Sequence, residues 1–146
     1  MKPRPVSLRD AAEPHDLMRR IVGVRLSETC DLAPAIDSPE PADLHQFRIA
    51  CKRLRYGLER FAAIAPLLEA AAAHLALVQD ALGMAHDCDL LLAELPASMP
   101  VTQTNVRQDR ERHVRRGAEL WSDALVLLRE SLRFVDARRL AGDQTI

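Results

Sequence analysis

The stretch LHQFRIACKRLRYGLERF, residues 44–61, decides the fold because it carries a regular apolar stripe. Its apolar side chains recur at alternating spacings of three and four residues: Leu44, Phe47, Cys51, Leu54, Leu58 and Phe61. That spacing places them on one face of an α-helix that packs against other helices. A second stripe of the same kind comprises Val114, Ala118, Trp121, Leu125, Leu128, Leu132 and Val135. Two such seams predict a helical bundle.

The rest of the chain supports an all-α fold. No strand-like alternation is sustained anywhere, and Ala, Leu, Arg and Glu dominate the sequence. We predict an antiparallel four-helix bundle with long helices over about residues 10–33, 38–63, 66–94 and 104–140. Ser38 is the expected cap of the second helix, and residues 35–38 and 96–104 are expected to be connections. Residues 1–146 should form a single domain with loose tails at 1–9 and 141–146.

Composition narrows the class of protein. The chain has 146 residues, of which 48% are apolar and only 3% aromatic, so the core must consist of aliphatic side chains. The most apolar stretch, residues 61–95, contains seven acidic or histidine side chains and a proline, which argues against a membrane span. No signal-like segment is evident, and three cysteines form no disulfide framework. We therefore expect a cytoplasmic protein with reduced thiols.

Positive and negative side chains are nearly equal in number but unevenly distributed along the chain. The formal net charge is -1, yet no Lys or Arg occurs between Arg60 and Arg107. Cations concentrate before and after that gap, and the first concentration is ordered. A set that we call the basic stripe lies one residue away from the apolar seam and has the same spacing: His45, Arg48, Lys52, Arg55 and Glu59. Its centre lies about 100° around the helix from the seam.

The surroundings of the basic stripe indicate a groove. Ile49 and Tyr56 lie beyond it around the helix, so apolar residues bracket the cations on both sides. Like charges one turn apart repel, so the row needs a counter-charge. Acids of the bundle, such as Asp87, Asp89 or Glu59, could supply it. Alternatively, the groove takes an anion with repeated charges, since cations about 5–6 Å apart match a chain of phosphates.

The third predicted helix carries a carboxylate on its apolar face. Asp89 shares that face with Leu75, Val78 and Leu82. A buried carboxylate is costly unless it is paired, so we predict a bond to Arg55 or Arg48. Two further side chains, His86 and Gln79, have the same one-residue offset as the basic stripe. Gly83 lies between them, where a missing side chain would allow close approach.

Two motifs carry a resemblance to a known family. Residues 44–59, LHQFRIACKRLRYGLE, and residues 78–91, VQDALGMAHDCDLL, resemble the two signature helices of the CHAD family, the conserved histidine α-helical domains. The resemblance covers about residues 44–95. It implies a helical module that binds inorganic polyphosphate without catalysis, cofactor or metal. Residues implied as polyphosphate contacts are His45, Arg48, Lys52, Arg55 and Arg53, with His86, Asp89 and Tyr56 in supporting roles.

The resemblance also implies a partner. Family domains typically contain two related helical halves that face each other across a basic channel, and this chain resembles only the second half. Either another copy supplies the missing half or the groove is incomplete. Ile49 and Tyr56 beside the cations suit a homodimer contact. A cytoplasmic protein of this kind could associate with polyphosphate granules.

Three other functions remain open from the residues. His45, His86 and Asp87 with Asp123 or Asp136 imitate the order of metal ligands in helical phosphohydrolases of the HD type. An exposed His45 could accept a phosphoryl group. Nucleic acid could bind a second set of cations, but no aromatic platform accompanies them and acids interrupt them, which favours a solvated, salt-bridged helix: Arg107, Arg110, Arg112, Arg115 and Arg116.

Overall fold

The computed structural model describes the backbone of residues 1–142 and the side chains of residues 1–136. Helices account for most of this part of the chain, and no strand occurs within it. Four α-helices and one short 3-10 helix follow in order: α1 (Pro14–Leu32), the 3-10 helix (Ala33–Asp37), α2 (Pro41–Phe61), α3 (Leu68–Glu94) and α4 (Pro100–Gly142). The predicted all-α class is confirmed.

Two helix starts differ from the prediction. The cap residue of α2 is Glu40, not Ser38, because the Ser38 hydroxyl bonds to Asp43 Oδ2 at 2.6 Å in the turn before the helix. The α4 helix begins at Pro100 rather than at about residue 104. Proline suits a first helical position, where its missing N–H costs no hydrogen bond. Half of the predicted linker therefore belongs to α4, and the expected loop after α1 is a 3-10 helix.

The predicted α2 seam lies in the core, whereas the α4 seam does so only in part: five of its seven residues are half-buried, and Leu120 and Ala124 beside it are buried. All of the α2 seam is buried except Phe61, which is half-buried. On α4, Trp121 and Leu128 are buried, and the Trp121 ring packs edge-on against Phe47 with centroids 5.4 Å apart. Helices α3 and α4 cross closely at Gly117, where a Cβ atom would lie 2.7 Å from Leu82 Cδ2. Met18 and Val22 of α1 are also fully buried, so all four α-helices contribute to the core.

Contacts between neighbouring helices run in opposite directions. Asp89 of α3 bonds to Arg110 of α4, whereas the carbonyl of Leu67, just before α3, accepts a bond from Ser131 further along α4. Between α1 and α2, Glu28 lies near Arg53, and Ile21 lies near Gly57. Between α2 and α3, His45 lies near His86, and Arg48 lies near Gly83. In each of these helix pairs, residue numbers rise along one helix as they fall along its neighbour. Arg19 of α1 also lies 3.4 Å from Asp136 of α4.

The chain ends were predicted to be loose. Residues 1–9 nevertheless make hydrogen bonds to α1 and α2: the Arg4 amide bonds to Glu28, the Arg4 side chain lies 2.7 Å from Asp31, and Arg20 bonds to the Arg9 carbonyl at 2.6 Å. The segment therefore lies along the outer side of these helices. At the other end, residues 141 and 142 belong to α4, and residues 143–146 lie outside the described residues.

None of the helices within the described residues has an apolar segment long enough to cross a bilayer.

Candidate anion-binding site

The first part of the basic stripe lies on the side of α2 that faces α3. The His45 ring stacks near the His86 ring, with centroids 5.1 Å apart and planes tilted by 31°. One turn further, Nε and Nη2 of Arg48 each lie 3.7 Å from the position that a Cβ atom would take on Gly83. The guanidinium group thus rests on the bare backbone of α3. Two of the α3 residues singled out from the sequence, His86 and Gly83, therefore face the stripe.

Exposure changes along the stripe. Within it, His45, Arg48 and Arg55 are half-buried, whereas Lys52 is exposed. The Arg55 side chain keeps 24% of its exposure. Nε of Arg48 and Nε of Arg55 are both buried without a hydrogen-bond partner. His45, Arg48 and Arg55 are therefore partly covered by protein, whereas Lys52 is open to solvent.

Carboxylates barely neutralise the stripe. Among the described side chains, none offers a carboxylate oxygen within 4 Å of Arg48 or Lys52. Arg55 has one such neighbour, Glu59 of the same helix, at 3.7 Å from Nε to Oε1, which is too long for a hydrogen bond. Glu59 is itself half-exposed, so this pair contributes little. Internal ion pairing by α3, the alternative left open by the sequence, does not occur at these two arginines within the described residues.

Burial and nearby charge act on His45. Burial lowers the pKa of His45, and the neighbouring His86 and Arg48 lower it further. Its Nδ1 atom is buried without a partner in the described structure. An anion bound beside the two imidazoles would oppose both effects and would favour the protonated ring.

The predicted partner of Asp89 is wrong, although the prediction that it is paired is confirmed. Asp89 Oδ1 accepts a bond from Arg110 Nε of α4 at 2.5 Å, and the two side chains keep only 10% and 18% exposure. Asp89 lies on the side of α3 that packs against α4, whereas His86 and Gly83 face α2. Its charge is therefore satisfied away from the groove, and Arg48 and Arg55 keep theirs.

Arg53 does not line the groove. It projects toward α1, where Nη1 lies 3.5 Å from Glu28 Oε1 and Nη2 bonds to the Met1 carbonyl at 3.0 Å. Glu28 is 1% exposed and also accepts a bond from Arg25 at 2.7 Å. Glu28 was not predicted to be buried, although its spacing from Leu17, Ile21 and Val24 places it on the same face of α1 as these apolar residues.

Tyr56 lies at the rim of the stripe. Its side chain is 45% exposed. Lys52 Nζ is 5.6 Å from the ring centroid, and Arg55 Cζ is 5.0 Å from it. Both distances are within the range of cation–π attraction. The ring therefore supports two cations of the stripe.

The second concentration of cations is a different kind of surface. Arg112 pairs with Asp109 and Arg116 lies 3.4 Å from Glu119, both within α4. Arg110 is held by Asp89. These local pairs match the salt-bridged helix expected for this segment.

The residues proposed for a metal-dependent hydrolase do not assemble. Within the described side chains, no group of three or more His, Cys, Asp or Glu residues could hold a metal ion. His45 and His86 do meet, but Asp136 is near Arg19 instead. The order of ligands in the sequence therefore does not become a ligand set in space.

Comparison with known protein families defines the class of this helical protein. Residues 2–96 match the CHAD domain, a region that includes α1, α2 and α3 and the whole basic stripe. The chain belongs to the CHAD family. The match extends the resemblance toward the start of the chain, and α4 lies outside it. Comparisons with curated proteins and with solved structures gave no match.

Proposed function

We propose that this domain binds inorganic polyphosphate, without catalysis, along the groove between α2 and α3. Membership of the CHAD family is consistent with such a ligand. One observation carries the proposal for this chain: Arg48 and Lys52 of the stripe have no carboxylate partner in the described structure. A row of unneutralised cations is unfavourable in the free protein and becomes favourable when a polyanion occupies it.

The geometry suits a chain of phosphates. Successive turns of α2 place the cations about 5–6 Å apart. Arg48 and Arg55 can donate forked hydrogen bonds, and the exposed Lys52 adds a mobile point charge between them. His45 and His86 extend the row at the start of α2.

A second copy of the chain would complete the channel. The groove is walled by α2 and α3 and open on its outer side, where Tyr56 is exposed and Ile49 is half-buried. In the proposed homodimer, the partner covers this side and adds its own stripe. We further propose that the protein acts in the cytoplasm, where it would meet polyphosphate granules. The molar mass in solution, measured with and without polyphosphate, tests the dimer.

A titration with polyphosphate of defined chain length tests binding. We expect affinity to rise with chain length and to fall steeply with salt, because the attraction is mainly electrostatic. Replacing Arg48 and Arg55 together with alanine should lower the affinity by about 100-fold or more, since each charge-assisted contact contributes about 1.5–3 kcal/mol.

The matched control removes two other arginines. Arg112→Ala with Arg116→Ala deletes the same charge from α4, where both side chains are exposed and paired locally. This control should change the affinity by less than about threefold, because exposed and paired charges contribute little. Equal losses in the two double variants would mean that net charge, not the groove, attracts the ligand.

A further inference from the structure

The end of the basic stripe differs from the rest because it has an exposed aromatic ring. Tyr56 directly follows Arg55 and lies one turn beyond Lys52, and both cations approach its ring. A phosphate group held by Lys52 and Arg55 would therefore lie beside the face or edge of Tyr56. An aromatic ring next to a phosphate contact is the arrangement that proteins use to stack a nucleobase.

Space for a base exists beside the ring. An open hollow of about 420 Å³, lined by Tyr56, Glu59 and Arg60, begins where the stripe ends. That volume is within the range of small-molecule sites. Glu59 supplies a hydrogen-bond acceptor for the N–H groups of a base, and its oxygen is 3.7 Å from Arg55 and so is not held by a hydrogen bond to it. The Arg60 side chain is exposed on the other side of the hollow.

We propose that this end of the groove binds the base of a nucleoside polyphosphate, whose phosphates lie on Lys52 and Arg55. The site thus presupposes the proposed function and adds a second class of ligand to it. The base stacks on Tyr56 and donates a hydrogen bond to Glu59, while Arg48 receives the far end of the phosphate chain.

The number of exposed rings favours a single nucleotide over a nucleic-acid strand. Proteins that bind single strands offer several stacking platforms in series. Among the described residues, Tyr56 is the exposed aromatic side chain beside the stripe, Phe61 at the end of α2 is half-buried, and Phe134 is on α4. Phe47 and Trp121 pack in the core. The one exposed ring beside the stripe therefore offers a stacking surface for a single base.

The test compares two ligands that differ by the nucleoside. Calorimetry at fixed salt and without metal gives the affinities of ATP and of tripolyphosphate for the full chain. Tripolyphosphate carries more negative charge, so electrostatics alone makes it the tighter ligand. We expect ATP to bind about fivefold to tenfold more tightly instead, because stacking adds to the phosphate contacts.

Variants of Tyr56 isolate the ring. Tyr56→Leu keeps an apolar side chain of similar length but has no π face, and it should lower the ratio of ATP affinity to tripolyphosphate affinity about tenfold. Tyr56→Phe should preserve that ratio. A circular dichroism melt of each variant verifies the fold, which the substitutions should tolerate because the side chain is 45% exposed.

The outcomes separate this site from the proposed function. If long-chain polyphosphate binds but ATP binds no better than tripolyphosphate, or if Tyr56→Leu leaves the ratio unchanged, the nucleobase site is refuted and polyphosphate binding stands. If neither polyphosphate nor tripolyphosphate binds the wild-type chain, both are refuted. A single-stranded oligonucleotide that binds more tightly per phosphate than ATP would overturn the choice of a mononucleotide.

Discussion

Replacing Arg48 with glutamine should weaken polyphosphate binding about 30-fold and leave the free protein at least as stable. Arg48 lies against Gly83 with its Nε atom buried and unpartnered, and no described carboxylate is close to it. A hydrogen bond to a charged group contributes about 1.5–3 kcal/mol, and a loss of about 2 kcal/mol corresponds to about 30-fold in affinity. In the free protein, the same change removes about 0.2–0.5 kcal/mol of repulsion from neighbouring cations.

The same substitution at Arg110 should have the opposite effects. Arg110→Gln breaks the bond to Asp89, whose side chain keeps only 10% exposure. Leaving a buried carboxylate without its partner should cost about 3 kcal/mol of unfolding free energy, the lower end of the range because the pair is not fully enclosed. Polyphosphate affinity should stay within about threefold, since Arg110 does not face the groove.

Two measurements on each variant distinguish a role in polyphosphate binding from a role in stability. Urea unfolding gives the free energy of unfolding without altering ionic strength, and calorimetry gives the polyphosphate affinity at one fixed salt concentration. A destabilisation of Arg48→Gln as large as that of Arg110→Gln would show that Arg48 is a structural residue with a hidden partner. An affinity within about twofold of wild type would show that the groove does not hold the phosphate chain.

Three further predictions concern single side chains. Gly83→Ala should stabilise the protein by about 0.5–1 kcal/mol in urea unfolding, because the added Cβ would lie at an ordinary contact distance of 3.7 Å from Arg48. Gly117→Ala should destabilise it by about 1 kcal/mol, because the added Cβ would lie 2.7 Å from a buried leucine. Burial lowers the pKa of His45, and the negative charge of a bound polyanion should raise it. The affinity measured by calorimetry should therefore increase as pH falls from about 7.5 to about 5.5. An affinity independent of pH, or an increase that persists in His45→Gln, would contradict this. In the same window the free protein should lose stability as pH falls toward and below the unfolded value of about 6.5, because unfolded His45 takes up the proton more readily. Glu28→Ala should lower the free energy of unfolding by about 3 kcal/mol, by leaving two arginines unpaired, yet change polyphosphate affinity by less than about threefold; a large loss of affinity would place α1 in the site.

Helical periodicity explains why much of the site was predictable. The seam and the basic stripe of α2 are both local patterns, set by residues three and four apart on one helix. The prediction that an acid on an apolar face must be paired is equally local, since it needs only the face and the cost of burial. For that reason Asp89 was identified as a paired carboxylate before any neighbour was known, and Glu28 could have been identified in the same way.

Which cation pairs with which acid depends on how the helices pack against one another. Arg110 is 21 positions from Asp89 in the chain, and Glu28 is 25 positions from Arg53. Spacing along one helix says nothing about which neighbour packs against each of its sides, so the sequence assigned Asp89 to α2, and only the family resemblance assigned Arg53 to the polyphosphate contacts. The packing of α3 between α2 and α4 sends Asp89 to the other side.

The amino-acid sequence alone determined that this chain is helical, which face of each central helix is apolar, and that a row of cations accompanies the α2 seam. Tertiary packing alone decided that Arg48 rests on Gly83, that Arg53 pairs with Glu28, and that Asp89 pairs with Arg110 of α4. The physical reason is that the two kinds of feature depend on contacts over different separations in the sequence. Turn-to-turn spacing is fixed by backbone geometry within a single helix. The pairing of charges depends on how separate helices pack and bury their surfaces.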